Sequence, residues 1–310
     1  MCGGRCRWDW LCHVVRVELL GAKRVEIIAT VPVVVADLVK AYGDMKAVDG
    51  ISFSIAPAET FVLLGPNGAG KSTTIEILEG YRNRTSGRVE VLGIDPHKGD
   101  RTFKARIGIV LQQAGDLGRL SVRQTLEHFA SLYPNPRDVD EVIHAVDLAA
   151  KADTAIRKLS GGQQHRVDVA LGIIGNPELL FLDEPTTGFD PEVRRQFWEV
   201  IRGLKAEGTT IMLTTHYLDE AEELGDRAGI ILDGKLVALD RVESIGGERM
   251  RVPIVSWVQD GEEMNQRTER PGEFVTHLVE RLGREPEHLD VSTPTLESVY
   301  LAMLDGRDEA

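Results

Sequence analysis

Apolar residues along this chain fall into two alternating patterns: short continuous runs and repeats at three- and four-residue steps. Val33-Val34-Val35 and Ile51-Ser52-Phe53-Ser54-Ile55 predict two strands on either side of a turn at Gly43-Asp44. Thr60–Leu64 is a short apolar run that enters a glycine-rich loop, and Ser72–Leu78 predicts the helix that follows it. Val89–Leu92 and Ile107–Leu111 predict further strands. From Ser121 to Ala152 the period becomes helical, with Val122, Leu126, Phe129 and Leu132 on one face. Pro134-Asn135-Pro136 interrupts that helix and Val139–Leu148 resumes it, so this stretch reads as a helical insert.

Leu179–Leu182 is apolar throughout, as a parallel strand buried on both faces requires. Asp190 is placed to cap the next helix, with Pro191 at its first position. Val193, Phe197, Val200, Ile201 and Leu204 give that helix one apolar face, and Gly208 ends it. Thr210–Thr214 predicts another strand, with His216 just past its end. This alternation continues to about Asp240 and predicts an α/β layered core. Beyond Ser244, Gly246-Gly247, the polar stretch Gln259–Arg270 and Pro271 read as linker or loops, followed by an amphipathic segment from Phe274 to Leu282. The chain is thus expected to divide into a leader at 1–32, unstructured or reflecting a start assigned too far upstream, a main domain at 33–243 and an accessory region at 244–310. The helical insert falls at about 113–160.

With 310 residues, 42% apolar and 27% charged, the composition is ordinary for a soluble globular protein of one large domain plus an appendage. A net charge of −13 argues against a partner held by phosphate-backbone contacts, so no nucleic-acid partner is expected. No run approaches the ~18 apolar residues of a membrane span, and any membrane role must come through a partner. Cys2, Cys6 and Cys12 all lie in the first dozen residues. They offer no disulfide framework, fit a reducing cytosol, and lack the downstream Cys or His pair of a metal site. The opening residues also lack the apolar core and cleavage site of a secretory signal.

The chemistry concentrates in a few places. Gly65-Pro66-Asn67-Gly68-Ala69-Gly70-Lys71-Ser72 has the spacing of a phosphate-binding loop. Its backbone N–H groups would wrap the β-phosphate, Lys71 would reach the β- and γ-phosphates, and Ser72 could ligate Mg²⁺. Asp183-Glu184 ends the Leu179–Leu182 run, where ligands gather in α/β sheets. Asp183 would hold Mg²⁺, directly or through water, and Glu184 is placed to accept a proton from an attacking water. The alternative is an acidic strand end that caps the following turn. His216 ends a strand expected beside that of Glu184, within reach of a γ-phosphate. Gln112 follows the Ile109–Leu111 run; Gln113 beside it leaves a one-residue ambiguity, and the spacing favours Gln112. Tyr42 could stack on adenine or simply cover the core as a turn aromatic. Leu159-Ser160-Gly161-Gly162-Gln163 opens a helix with a hydroxyl and two glycines, a second anion site. Two phosphate sites beside one set of hydrolytic residues imply an enzyme that works as a pair of subunits.

Together these residues resemble the nucleotide-binding domain of an ABC transporter over about residues 33–240. Tyr42 matches the aromatic A-loop residue, Gly65–Thr73 the Walker A motif and Gln112 the Q-loop. Leu159–Gln163 matches the signature motif, Leu179–Glu184 the Walker B motif with its catalytic Glu, Gly188-Phe189-Asp190 the D-loop, and His216 the switch histidine. All occur in the family's order. The resemblance implies a RecA-like P-loop NTPase core with an antiparallel β-subdomain, a helical signature-motif subdomain and a small C-terminal α+β appendage. It implies a head-to-tail dimer, homo- or heterodimeric, that binds ATP and Mg²⁺. Pro66, Asn67, Gly68, Ala69, Gly70 and Thr73 would line one face of the nucleotide, and Ser160, Gly161, Gly162 and Gln163 of the other subunit would line the opposite face. Glu184, His216, Lys71 and Gln112 would be catalytic, Ser72, Gln112 and Asp183 would hold the metal, and Asp190 would touch the opposite subunit. Pro185-Thr186-Thr187-Gly188-Phe189-Asp190-Pro191, Thr215–Glu222 and Thr295–Tyr300 resemble the ABC-2, daunorubicin-resistance-like branch. That branch pairs such a subunit with a separate membrane permease for export, which places the chain at the cytoplasmic face of the plasma membrane. A soluble ABC ATPase acting on nucleic acid or ribosomes is the alternative, disfavoured by one ATPase unit per chain and by the acidic charge. His165, Asp168 and Phe189 depart from the residues common at their positions, and the leader has no counterpart in the family pattern.

Overall fold

The parallel strands of this protein carry their carboxyl ends to one edge, and that shared direction builds the site. The computed structural model describes residues 14–15, 27–28, 31–110 and 119–308, and the chain divides into two units between Leu239 and Asp240. Within the stretch expected as a leader, β1 (Val14–Val15) and β2 (Ile27–Ile28) pair antiparallel; nearly all its other residues, the three cysteines included, lie outside the described ones.

The first unit continues with β3 (Val33–Tyr42), β4 (Met45–Ile55), β5 (Thr60–Leu64), α1 (Lys71–Leu78), β6 (Ser86–Val91), α2 (Arg101–Arg106) and β7 (Ile107–Val110). Helices α3 (Val122–Ala130), α4 (Val139–Ala145) and α5 (Gly161–Ile173) form the helical region. After it come β8 (Leu179–Asp183), α6 (Pro191–Ala206), β9 (Thr210–Thr215), α7 (Leu218–Leu224), β10 (Arg227–Leu232) and β11 (Lys235–Arg241), whose last two residues already belong to the second unit. Strands β4-β3-β6 make an antiparallel sheet, and β11-β10-β5-β9-β8-β7 make the main one. From β10 to β7 every main-sheet pairing is parallel.

Local chemistry explains the boundaries. Asp190 caps α6 by accepting from the N–H groups of Glu192 and Val193 at 3.0 and 2.9 Å, with Pro191 at the first position, as the sequence predicts. The strand expected at Val89–Leu92 stops at Val91 because Leu92 turns to φ +50°. The helix expected to run to Leu148 ends at Ala145, and Asp147 has φ +53°.

All five residues of β5 are buried, as are Leu179–Leu182 of β8 and all of β9. Leu38, Ile51 and Phe53 of the antiparallel sheet join Phe61, Leu63, Phe181 and Met212 of the main sheet in one core with Ile75 and Leu78 of α1. Phe53 and Phe61 stack with ring centroids 5.0 Å apart. Strand β9 lies between β5 and β8, with Thr215 opposite Leu64 and Thr214 opposite Asp183. The loop after β5, the acids after β8 and His216 after β9 therefore emerge side by side.

The second unit contains α8 (Glu248–Arg251), β12 (Ile254–Gln259), β13 (Glu262–Arg267), α9 (Pro271–Leu282), β14 (Glu287–Ser292) and α10 (Leu296–Asp308). Its sheet order is β13-β12-β14, all antiparallel. Val255, Trp257 and Leu278 form its small core, flanked by Phe274, Val275, Leu282 and Leu289. The reading of Gln259–Arg270 as linker or loops is corrected here. Glu262–Arg267 is an edge strand whose six residues are all exposed, so no buried face marked it. The amphipathic segment predicted from Phe274 is α9, which starts three residues earlier at Pro271.

Phe181 has no exposed surface on a central strand. Phe181→Ala is expected to lower the unfolding free energy by about 3–5 kcal/mol, read from the urea midpoint. A shift below about 1 kcal/mol would contradict this account of the core.

Candidate active site

The phosphate loop leaves β5 at Gly65 and closes on α1, where Lys71 is the first helical residue. Gly70 has φ +106°, and a Cβ there would lie 2.3 Å from the carbonyl oxygen of Ala47. No other residue fits that left-handed, crowded position. Pro66, Asn67 and Gly68 are exposed at the loop's tip, Ala69 is buried, Ser72 is exposed and Thr73 is half-buried. Lys71 is 4% exposed, and its Nζ donates to the carbonyls of Gly65 and Pro66 at 2.8 and 3.1 Å. Its charge is met by Glu184 Oε1 at 3.0 Å. A buried ammonium is tolerated only with such a full set of acceptors.

Asp183 and Glu184 stand at the end of β8. Asp183 Oδ1 accepts from Ser72 Oγ at 3.3 Å and from Thr214 Oγ1. Burial pushes the Asp183 carboxyl above its ordinary range, against the hydrogen bonds from Thr214 and Ser72 that stabilise its charge. The oxygens of Ser72 and Asp183 suit a small divalent cation such as Mg²⁺, which takes few protein ligands and fills its shell with water and phosphate. Glu184 adopts φ +47°, a left-handed conformation that costs energy for a residue other than glycine. Its N–H is held by the carbonyl and hydroxyl oxygens of Thr214, each at 3.1 Å. That turn aims the carboxylate between Lys71 and His216, whose Nδ1 is 3.2 Å from Glu184 Oε2. Thr187 Oγ1 donates to the same oxygen at 3.4 Å.

Sequence reasoning missed two groups here. Thr214 orients both acids, yet it reads as one polar residue in a buried strand. Glu79 closes α1 and is 7% exposed. Burial first, then the nearby negative charges of Asp183 and Glu76, raise its pKa to about 8.

Ser160 and Gln163 begin α5 as a reciprocal capping box. Ser160 Oγ accepts from the Gln163 N–H at 3.3 Å, and Gln163 Oε1 accepts from the Ser160 N–H at 3.2 Å. The spacing S-x-x-Q carries that signal in the sequence. A Cβ on Gly161 would meet nothing within 4 Å, whereas one on Gly162 would lie 2.8 Å from Val193. The three unusual residues meet at this helix: His165 Nδ1 is 3.4 Å from Asp168 Oδ2, and its ring meets Phe189 edge-on at 4.9 Å. With Gly161, Gly162 and Asp190 they line a cleft of about 420 Å³. Tyr42, 40% exposed, ends β3. Gln112 lies outside the described residues.

A parallel sheet, a lysine-bearing phosphate loop and an acid pair separated from it by one intervening strand define a P-loop nucleoside triphosphatase. Residues 48–187 match the ABC transporter family. The chain is 36% identical over 302 residues to the daunorubicin resistance ATP-binding protein DrrA2 of Streptomyces coeruleorubidus, covering 87% of this chain and 94% of that protein. It is 38% identical over 246 residues to the Nod factor export ATP-binding protein I of Rhizobium meliloti (strain 1021), covering 78% and 72%. The ADP conformation of MJ1267, an ATP-binding cassette of an ABC transporter, superimposes with a TM-score of 0.62 at 25% identity, covering 68% of this chain and 91% of that one. A dimeric post-hydrolysis state of the cassette MJ0796 bound to ADP and Pi gives 0.60 at 25% identity, covering 67% and 98%. This chain belongs to the ABC transporter family, as one of its ATP-binding, ATP-hydrolysing subunits.

The acid cluster behind the loop has a pH signature. Glu79 keeps its proton in the fold up to about pH 8, against an ordinary value of 4.5. Between those values the folded state binds a proton the unfolded chain has lost, so this group destabilises the fold as pH rises. Glu79→Gln is expected to lose less stability than the parent between pH 5 and pH 8 in thermal unfolding. Equal losses in the two proteins would contradict a neutral Glu79.

Proposed function

We propose that this chain is the ATPase subunit of an ABC-2 type exporter, driving a separate membrane permease through ATP-dependent head-to-tail dimerisation. The observation that carries the reading is the convergence on Glu184, whose carboxylate lies 3.0 Å from the phosphate-loop lysine and 3.2 Å from His216. Glu184 takes a proton from the water that attacks the γ-phosphorus, and the bond to the β–γ bridging oxygen breaks. Lys71 and His216 meet the charge on the transferring group. Ser72 and Asp183, together with Gln112, are the residues that would hold Mg²⁺, which when bound neutralises phosphate charge.

The rest of the nucleotide is assigned in the same way. Tyr42 stacks on the adenine, and Gly65 to Thr73 wrap the phosphates. Ser160, Gly161, Gly162 and Gln163 of a second subunit close the site from the other side, and Asp190 contacts that subunit. The reading of the signature motif draws support from the open space around Gly161 and from the dimeric state of the cassette MJ0796. The ATPase domain is assigned to 33–243 and an accessory region to 244–310, with 1–32 as a leader. The partner subunit is a second copy or a close relative. Two similar proteins are named for drug resistance and for Nod factor export, which supports export as the direction. Among the described residues no helix is long and apolar enough to cross a membrane, in keeping with a subunit held at the cytoplasmic face by its permease.

Glu184→Gln is expected to abolish turnover while leaving ATP bound and the chain dimeric, measured by phosphate release and by size in the presence of ATP. Turnover near that of the parent would remove Glu184 as the base. Lys71→Ala is expected to weaken ATP binding at least about tenfold, and unchanged affinity would contradict the phosphate-loop assignment.

A further inference from the structure

Tyr42 is 40% exposed, yet two cationic side chains, Lys40 and Arg82, lie over its ring. Helix α1 stops at Leu78, and Gly80 turns to φ +78° where a Cβ would lie 2.5 Å from the carbonyl oxygen of Pro96. The chain then folds back over the helix. The N–H groups of Tyr81 and Arg82 both donate to the carbonyl of Glu76, at 2.9 and 3.0 Å. This return places the Arg82 guanidinium between two partners: its Nε donates to the Glu76 carboxylate and its Nη1 donates to the Tyr42 hydroxyl. The guanidinium carbon is 5.7 Å from the centre of the tyrosine ring. Lys40, two residues before Tyr42 on β3, brings its Nζ to 4.8 Å from that centre.

We propose that Arg82 is a positioning residue for the nucleotide base: it pins Tyr42 to the phosphate-loop helix through Glu76, and so fixes the base platform relative to the phosphate site. The inference rests on the reading of Tyr42 as the surface on which the adenine stacks. An exposed aromatic that swings freely must give up that freedom when a base stacks on it; a pinned ring has already done so. The connection Glu76–Arg82–Tyr42 starts on α1, whose first residue is Lys71, so one element sets both ends of the nucleotide site. An arginine is needed because its planar fork reaches a carboxylate and a hydroxyl at once, whereas a lysine offers a single charged point. The pin acts on the base end of the ligand and leaves the phosphate end untouched.

The test compares equilibrium dissociation constants of ADP and of inorganic pyrophosphate on the full chain. Arg82→Ala is expected to weaken ADP about five- to tenfold and to change pyrophosphate binding by less than about twofold. Tyr42→Phe keeps the stacking face but removes the hydroxyl, and is expected to give the same selective loss. The double variant is expected to be no worse than either single one, because both remove one contact. Arg82→Lys is expected to fall with Arg82→Ala rather than with the parent. An equal loss of ADP and pyrophosphate in Arg82→Ala, or additive losses in the double variant, would overturn the proposal. Tyr42→Ala separates it from the reading beneath. If Tyr42→Ala weakens ADP selectively and Arg82→Ala does not, the pin alone fails. If Tyr42→Ala leaves ADP binding unchanged, the platform reading fails and the pin falls with it.

Discussion

The site depends on one buried cation. Lys71 is almost fully enclosed, and two loop carbonyls and one carboxylate meet its ammonium group. An ammonium in that position is tolerable only while those acceptors stay in place. It therefore ties the phosphate loop, which supplies Gly65 and Pro66, to the end of β8, where Glu184 is the next residue. The left-handed backbone at Glu184 belongs to the same arrangement: Thr214 of the intervening strand holds its N–H and turns the carboxylate towards the lysine. Strands β5, β9 and β8 are thus joined at their ends by chemistry as well as by sheet pairing.

The start of α5 is held in a different way. Ser160 and Gln163, the polar residues that look most suited to grasp a phosphate, are already paired with each other's backbone N–H groups. They fix the start of the helix. The first helical turn at Gly161 and Gly162 has N–H groups with no acceptor within the helix, and these are the groups proposed to meet the nucleotide of a second subunit. The glycines differ in turn: Gly162 is pressed against Val193, while Gly161 faces open space. In the proposed dimer Ser160 and Gln163 hold in place the helix end that closes the site, and the glycine N–H groups would meet the anion.

Much of this was legible from residue patterns, because each legible feature is local. The phosphate loop, the Asp190 cap with Pro191, the apolar face of α6 and the all-apolar β8 follow from chemistry within a few residues. The β9–β8 pairing was expected from the sequence, but the full order of the main sheet, with β5 as the other neighbour of β9, did not follow from those patterns, because parallel neighbours are set by packing across distant segments. Strand β13 was invisible because none of its residues is buried. Glu79 was passed over because a glutamate at a helix end reads as solvated, and only the fold buries it beside two other acids. Arg82 was missed for a related reason: its partners, Glu76 and Tyr42, lie on a helix and a strand that sequence spacing does not bring together.

The proposed nucleotide site is shared between two chains, with Gly65–Ser72 from one and the helix start at Gly161-Gly162 from the other. Lys71→Ala removes the first half, and Gly161→Asp puts a carboxylate into the second at a position open enough to accept it without disturbing its own fold. The most direct measurement is ATP hydrolysis by an equimolar mixture of these two variants. Each is expected to be inactive alone, and the mixture is expected to recover turnover, since a mixed pair contains one intact composite site. A mixture as inactive as its components, or a Gly161→Asp protein that hydrolyses ATP at the parent's rate, would contradict the account.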